Sequence, residues 1–219
     1  MGEQTMRFAV KAIVFDLDGV LCFTDKYHFA AWKQVAERHG IYFDRRINDR
    51  LRGIGRMESL EILLERAQRR YTPEEKQALA EEKNGIYRRS LERLTDADLP
   101  DGVRSTLKAL RERGYRLAVG SSSKNAKLIL DRLGIAALFD AVADGTDVTR
   151  SKPDPQVFLA AARKLGVPPG DCAVVEDAAA GVAAAKAAGM SALALFGDAR
   201  GCGAEDYDLA SFADLLNIL

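Results

Sequence analysis

The amino-acid sequence predicts an α/β fold, a doubly wound, Rossmann-like parallel sheet into which an all-helical domain is inserted. Short apolar runs alternate with helical patterns that end in glycine, which is typical of a parallel sheet covered on both faces. The stretch 24–95 carries helical patterns but no strand pattern. We therefore expect a core domain of residues 1–23 and 96–219, and an inserted helical domain of residues 24–95.

Apolar runs predict the strands of the core. The run 8–15 is rich in Val, Ile and Ala and stops at Asp16, as a buried strand with polar groups at its carboxyl end does. Because ligands bind beyond the carboxyl ends of the strands in an open parallel sheet, the residues just after each run are the candidate site. Similar runs lie at 115–120, 173–175 and 191–196.

Apolar periodicity and glycine stops predict the helices. Val103, Leu107 and Leu110 repeat at the spacing of one helix face. Within the inserted domain, the run Thr-Pro-Glu-Glu at 72–75 predicts a helix start with a capping box and proline at the first helical position. Four core segments end at a glycine, a frequent helix stop: 103–113, 124–133, 155–165 and 178–188.

Composition narrows the class of protein. The 219 residues include 32 basic and 32 acidic side chains, so no excess of positive charge favours nucleic acid. No apolar run approaches the roughly 20 residues of a membrane-spanning helix. The three cysteines, Cys22, Cys172 and Cys202, form no C-x-x-C pair and favour a reducing compartment. We expect a cytoplasmic monomer that binds neither nucleic acid nor membrane.

Four carboxylates are expected at one edge of the sheet. Asp16 and Asp18 follow the first strand, and Glu176 and Asp177 follow a later one. Carboxylates brought this close repel one another, and a hard divalent cation relieves the repulsion. Since Mg²⁺ favours a few carboxylates together with waters and phosphate oxygens, the pattern predicts a Mg²⁺ site for phosphoryl transfer.

A serine and a lysine complete this pattern. Ser121 follows the second strand, and Lys152 precedes a helix; both are suited to phosphoryl oxygens. The set resembles the haloacid dehalogenase superfamily, whose members are mostly phosphatases and phosphomutases. Its four motifs occur in order: strand and Asp-x-Asp-Gly at 13–21, strand and serine at 117–121, the lysine, and strand and acidic pair at 174–177.

The resemblance implies a role for each of these residues. Asp16 would be the nucleophile that forms an aspartyl-phosphate, and Asp18 the acid/base that serves the leaving and incoming oxygens. Ser121 and Lys152 would hold the transferring phosphoryl oxygens. The implied ligands of Mg²⁺ are Asp16, Asp18 through its backbone carbonyl, Glu176 and Asp177.

The inserted helices resemble the cap domain of the β-phosphoglucomutase family. This implies interconversion of β-glucose 1-phosphate and glucose 6-phosphate through an aspartyl-phosphate and β-glucose 1,6-bisphosphate. The partners would be a sugar phosphate and a sugar bisphosphate. The matching segments are 18–24, 27–29, 31–33, 51–56 with 59–60, and 83–84. In the core, the loop 121–125 matches as well.

The same resemblance implies the contacts with substrate. Arg56 would grip the phosphate that is not transferred, and Gly53 would let backbone approach the sugar. His28 would hydrogen-bond Asp18 and position it. Lys83 would contact the sugar or link cap closure to substrate fit. The other implied contacts are Trp32, Arg52, Ile54, Ser59, Ser122, Ser123, Lys124 and Asn125.

Some positions depart from that family's pattern. Gly55 stands where Ser or Thr is common, and Arg52 stands where lysine is common. Cys22 and Phe23 replace a more polar pair. These departures leave the phosphoryl chemistry intact and leave the preferred sugar open.

Two other functions stay open at this point. A sugar-phosphate phosphatase would use the same groups, with water attacking the aspartyl-phosphate. A non-catalytic sugar-phosphate sensor or interaction module is less favoured, since a binder needs no nucleophile beside an acid/base. Plainer alternatives also exist for single residues: His28 as an ordinary buried histidine, Arg56 as an exposed charge, and Lys83 as part of a solvated helix face.

Overall fold

The computed structural model describes residues 8–51 and 53–219, so the predicted substrate contact Arg52 lies outside the described residues. Six parallel strands form one sheet in the order β3-β2-β1-β4-β5-β6, which confirms the predicted doubly wound α/β fold. The strands are β1 (Ala12–Phe15), β2 (Arg116–Gly120), β3 (Ala141–Ala143), β4 (Cys172–Glu176), β5 (Ser191–Ala194) and β6 (Tyr207–Asp208).

Helices α1 to α4 all lie between β1 and β2, and the described part of 24–95 contains no strand. The helical character predicted for this stretch is confirmed, whereas the division into two domains stays a prediction. The α-helices are α1 (Asp25–Arg38), α2 (Arg45–Asp49), α3 (Arg56–Leu64), α4 (Pro73–Leu91), α5 (Val103–Glu112), α6 (Ala126–Arg132), α7 (Gln156–Leu165), α8 (Ala179–Ala187) and α9 (Leu215–Ile218).

Helix α4 begins with the predicted capping box. The Thr72 hydroxyl accepts a hydrogen bond from the Glu75 backbone N–H at 3.3 Å, and the Glu75 carboxylate accepts one from the Thr72 N–H at 2.8 Å. Pro73 occupies the first helical position, where its missing N–H is not needed. None of the helices in the described residues has the length and apolar composition needed to cross a membrane.

The central strand β1 is buried on both faces and fixes the register of its neighbours. Phe15, its last residue, lies opposite Val119 of β2 and Val175 of β4. Alternate residues of β1 belong to two apolar clusters on the two faces of the sheet. The cluster that contains Phe15 continues into the inserted helices as far as Trp32 and Tyr87. The carboxyl end of β1 is therefore held rigidly.

The sequence-based prediction did not include β3 and β6. β3 is a three-residue strand, and β6, at the far edge of the sheet, has only two residues. Both leave part of their surface exposed, so neither carries the continuous apolar run that marks a buried strand.

Substitution Phe15→Ala tests how far the fold depends on this strand. The Phe15 ring is fully buried and packs against Phe139 and Phe212, with ring centroids 6.1 and 5.6 Å apart. We expect a loss of about 3–5 kcal/mol in the free energy of unfolding, measured by urea denaturation. The exposed control Leu159→Ala should lose about 1 kcal/mol or less, and equal losses would contradict this role for β1.

Candidate active site

The structure brings the four predicted motifs to one edge of the sheet. Asp16 directly follows β1, and its backbone N–H donates to the Val175 carbonyl of β4 at 2.9 Å. Glu176 ends β4, and Ser121 directly follows β2 on the other side of β1. Asp177 is the first residue after β4. Because these three strands are neighbours, their carboxyl ends place all four side chains in one small region.

Lys152 lies between two of these carboxylates. Its ammonium donates hydrogen bonds to Asp16 and Glu176, and all three side chains are nearly or fully buried. Burial alone would lower the pKa of Lys152, but the two carboxylates raise it above its ordinary value. Burial raises the pKa of Asp16 well above its ordinary value, while Lys152 opposes this rise. Lys152 therefore supplies a fixed positive charge at the predicted nucleophile.

The acidic cluster has the composition and spacing of a metal site. Asp16, Glu176 and Asp177 each offer a carboxylate oxygen within 4.8 Å of the others. Hard oxygen donors of this kind suit Mg²⁺. The backbone passes so close to Asp177 that a Cβ at Gly19, whose φ is +98°, would lie 2.0 Å from a carboxylate oxygen. The cluster does not include the side chain of Asp18, and the backbone carbonyl of Asp18 stays a predicted ligand.

Asp18 is held by a short chain of hydrogen bonds. The Tyr87 hydroxyl donates to the Thr24 hydroxyl at 3.2 Å, and Thr24 in turn donates to the Asp18 carboxylate. His28 places its Nε2 4.0 Å from the second oxygen of Asp18. Burial raises the pKa of Asp18, which favours a carboxyl group that can give up a proton, although the Thr24 hydrogen bond opposes this.

Lys83 is buried, so it does not belong to a solvent-exposed helix face, which was the plainer alternative for this residue. Its Nζ lies 2.8 Å from Nδ1 of His28, and burial together with the charge of Arg56 lowers the pKa of Lys83 to about 7. Burial, Lys83 and Arg56 lower the pKa of His28 well below its ordinary value. A neutral His28 accepts from Lys83 through Nδ1, which leaves the Nε2–H directed to Asp18.

The predicted site residues surround a cavity of about 670 Å³ between the sheet edge and the inserted helices. Lys152 and Glu176 are not part of its lining; Lys152 lies behind Asp16 and donates hydrogen bonds to Asp16 and Glu176. Trp32 lines the cavity and also belongs to the apolar core. The residues that were predicted from the sequence and that line the cavity are Asp16, Asp18, His28, Trp32, Gly53, Ile54, Arg56, Ser59, Lys83, Ser121, Ser122, Ser123, Lys124, Asn125 and Asp177.

The inserted helices touch the sheet edge around this cavity. The Ser122 hydroxyl donates to the Gly53 carbonyl at 3.3 Å, and the Asn125 amide donates to the Asn84 side chain at 2.9 Å. A Cβ at Gly55 would lie 2.3 Å from the Ser151 hydroxyl oxygen, so a side chain there would displace Ser151. The cavity is therefore bounded by groups from both parts of the chain.

Sequence reasoning missed Tyr87 and Ser151 in the cavity wall. Tyr87 lies four residues after Lys83 on α4, the spacing that puts two side chains on one helix face. That spacing could have identified Tyr87 once Lys83 was a candidate. The approach of Ser151 to Gly55 is a tertiary contact with no local sequence signal.

Comparisons with known proteins show which proteins this chain is similar to. A family model for haloacid dehalogenase-like hydrolases matches residues 10–189. The β-phosphoglucomutase of Bacillus subtilis is 47% identical over 186 residues, which cover 84% of this chain and 82% of that protein. A crystal structure of β-phosphoglucomutase from Clostridium difficile has a TM-score of 0.88 at 36% identity, covering 94% of this chain and 93% of that chain.

A relative with a hydrolytic activity is also similar over most of its length. The "Phosphorylated carbohydrates phosphatase" of Thermotoga maritima is 32% identical over 184 residues, which cover 83% of this chain and 82% of that protein. The same scaffold therefore serves phosphoryl transfer and phosphate release in related proteins.

Substitution Lys83→Met tests the electrostatics beside Asp18. Removing the nearby positive charge removes a repulsion that disfavours the imidazolium, so the pKa of His28 should rise. Burial should still keep it below 6.5, the ordinary value. NMR titration of the ring protons measures this directly, since the chain has two histidines. The control Lys76→Met, which removes a partly buried ion-pair partner of Glu61, should leave the pKa of His28 unchanged. An unchanged pKa of His28 in Lys83→Met would contradict the contact between Lys83 and His28.

Proposed function

This chain belongs to the haloacid dehalogenase-like hydrolase family, and on that premise we propose that it catalyses the β-phosphoglucomutase reaction. The observation that carries the proposal is the 47% identity to a β-phosphoglucomutase over most of both chains. The reaction interconverts β-glucose 1-phosphate and glucose 6-phosphate. Enzymes that catalyse this kind of reaction are phosphomutases, which change the position of a phosphoryl group on one sugar.

Asp16 acts as the nucleophile in this proposal. One of its carboxylate oxygens attacks the phosphorus of a bound sugar bisphosphate, the bond from phosphorus to the sugar oxygen breaks, and an aspartyl-phosphate forms. Lys152 supports this role because its ammonium offsets the negative charge of the attacking carboxylate and of the incoming phosphoryl oxygens. Ser121, beside Asp16 at the sheet edge, binds a phosphoryl oxygen.

Asp18 acts as the general acid and base in this proposal. It donates a proton to the sugar oxygen that leaves and, in the reverse direction, takes the proton of the hydroxyl that attacks the aspartyl-phosphate. Its raised pKa and its hydrogen bond from Thr24 support this role, since both a proton and a fixed orientation are needed. We further propose that His28, which faces Asp18, keeps this side chain oriented.

Mg²⁺ is the divalent ion that we propose for the acidic cluster of Asp16, Glu176 and Asp177, with the backbone carbonyl of Asp18. When bound, it supplies charge neutralisation for the transferring phosphoryl group.

Arg56 is proposed to hold the phosphate that is not transferred. It lines the cavity from the first turn of α3, while Lys124 and Asn125 line it from the sheet side. A guanidinium presents a planar fork of donors that matches phosphate oxygens. Holding the far phosphate from both sides lets either end of a bisphosphate face Asp16.

We also propose that residues 24–95 form a cap domain and that the enzyme works as a cytoplasmic monomer.

The product distribution separates this function from hydrolysis. With β-glucose 1-phosphate, Mg²⁺ and a trace of β-glucose 1,6-bisphosphate, glucose 6-phosphate should exceed free phosphate by about tenfold or more, because closure of the proposed cap over the bound sugar excludes water. Coupled assays of both products in one sample give the ratio. Free phosphate as the main product would instead establish the phosphatase, the activity named for the Thermotoga maritima relative.

Substitution Arg56→Ala tests whether Arg56 binds the phosphate that is not transferred. We expect kcat/KM of the mutase to fall about 30-fold or more, equivalent to about 2 kcal/mol of lost binding. Hydrolysis of p-nitrophenyl phosphate, which has no second phosphate, should change by about threefold or less. Equal losses in the two reactions would argue against this role.

The metal proposal is tested by thermal unfolding. Adding Mg²⁺ should raise the Tm of the wild-type chain, because an ion that binds only the folded state stabilises it. In Asp177→Asn, which removes one carboxylate of the cluster, the increase should be much smaller. The control Asp208→Asn, on β6, should keep the full increase, and a full increase in Asp177→Asn would contradict the proposed site.

A further inference from the structure

Asn125 stands at a position where an asparagine usually has a local role. It is the residue directly before α6, where an asparagine side chain normally accepts a hydrogen bond from the first turn of the helix. The Asn125 side chain makes no such capping bond. Its backbone, at φ −111° and ψ 12°, also differs from the extended conformation usual for a capping residue. The side chain is therefore directed away from the helix that it precedes.

The amide of Asn125 is directed to the inserted helices instead. Its Nδ2 donates a hydrogen bond to Oδ1 of Asn84 at 2.9 Å. Asn125 is only 5% exposed, and a buried amide without a partner is costly. Both side chains line the cavity. The hydrogen bond to Asn84 thus holds the Asn125 amide in one orientation at the cavity wall.

Asn84 belongs to α4, the helix that also brings Lys83 and Tyr87 to the cavity. Arg56 lies close enough to α4 for its charge to lower the pKa of Lys83, the residue before Asn84. Asn84 therefore connects the core loop that contains Asn125 with the part of the inserted helices that lies near Arg56.

We propose that Asn84 is a positioning residue, which orients the Asn125 amide toward the phosphate that is not transferred. This rests on the proposed function, in which Asn125 binds that phosphate from the sheet side and Arg56 binds it from the inserted helices. The amide nitrogen of Asn125 carries two hydrogens. Asn84 accepts one of them, and the other donates to a phosphate oxygen.

The physical reason is preorganisation of the donor. A side chain that becomes ordered only on binding loses rotamer entropy at that moment, whereas a side chain already held in place loses little. Hydrogen bonds to a charged phosphate are strong and depend on good alignment of the donor. Asn84 fixes the rotamer of Asn125 before the sugar phosphate arrives, so more of the energy of that contact appears as affinity.

Substitution Asn84→Ala in the Asp16→Asn background tests the positioning role by binding alone. Asp16→Asn lacks the proposed nucleophile, so β-glucose 1,6-bisphosphate is not consumed. Isothermal titration calorimetry with Mg²⁺ should give a Kd about fivefold higher when Asn84→Ala is added. The control Ser90→Ala in the same background loses a hydrogen bond within α4, to the Ile86 carbonyl, and should leave the Kd unchanged.

The same background shows whether Asn84 acts through Asn125. Asn125→Ala should raise the Kd about tenfold, because it removes a donor to the phosphate. Adding Asn84→Ala to Asn125→Ala should raise the Kd no further, since Asn84 then has no amide to orient. With Asp16 intact, Asn84→Ala should change the hydrolysis of p-nitrophenyl phosphate, which has no second phosphate, by about twofold or less. A general loss of structure would lower that rate as well.

Equal Kd values with and without Asn84→Ala would overturn the positioning role, and so would no binding of the bisphosphate by Asp16→Asn. Additive increases for Asn84→Ala and Asn125→Ala would also overturn it. If Asn84→Ala lowers the Tm, Asn84→Leu keeps the side-chain volume without an acceptor and should raise the Kd equally. Formation of glucose 6-phosphate by the wild type judges the proposed function separately, because the calorimetry involves no turnover.

Discussion

The candidate active site at the edge of the sheet depends on the buried ammonium of Lys152 between the carboxylates of Asp16 and Glu176. Buried charges of one sign are strongly unfavourable unless they are paired and hydrogen-bonded. The parallel sheet brings such charges together, because β1 and β4 are neighbours, Asp16 directly follows β1, and β4 ends in Glu176. Lys152 offsets part of this charge, and the negative charge that remains suits a divalent cation.

A second group of contacts connects the inserted helices with the same edge. The chain of hydrogen bonds from Tyr87 through Thr24 to Asp18 begins on α4 and ends two residues after the proposed nucleophile. His28 and Lys83 lie beside this chain. The orientation of the proposed acid/base thus depends on helices that also form the wall of the cavity.

Much of this could be predicted from the sequence, because the chemistry lies at strand ends. The apolar run before Asp16 and the acidic pair at 176–177 are local patterns, and an open parallel sheet brings them together by topology alone. The capping box of α4 is equally local. The short edge strands β3 and β6 were missed because they lack a long buried run. The burial of Lys83, two residues after Glu81 in a charged stretch, depends on packing against Trp32 and Tyr87 that no local pattern records.

The central claim is that Asp16 carries the phosphoryl group, and peptide mass spectrometry tests it most directly. After rapid quenching of a reaction with β-glucose 1,6-bisphosphate and Mg²⁺, the peptide that contains Asp16 should gain the mass of one phosphoryl group. The variant Asp16→Asn should gain none and should turn over no substrate. A phosphoryl group on another residue, or turnover by Asp16→Asn, would contradict the claim.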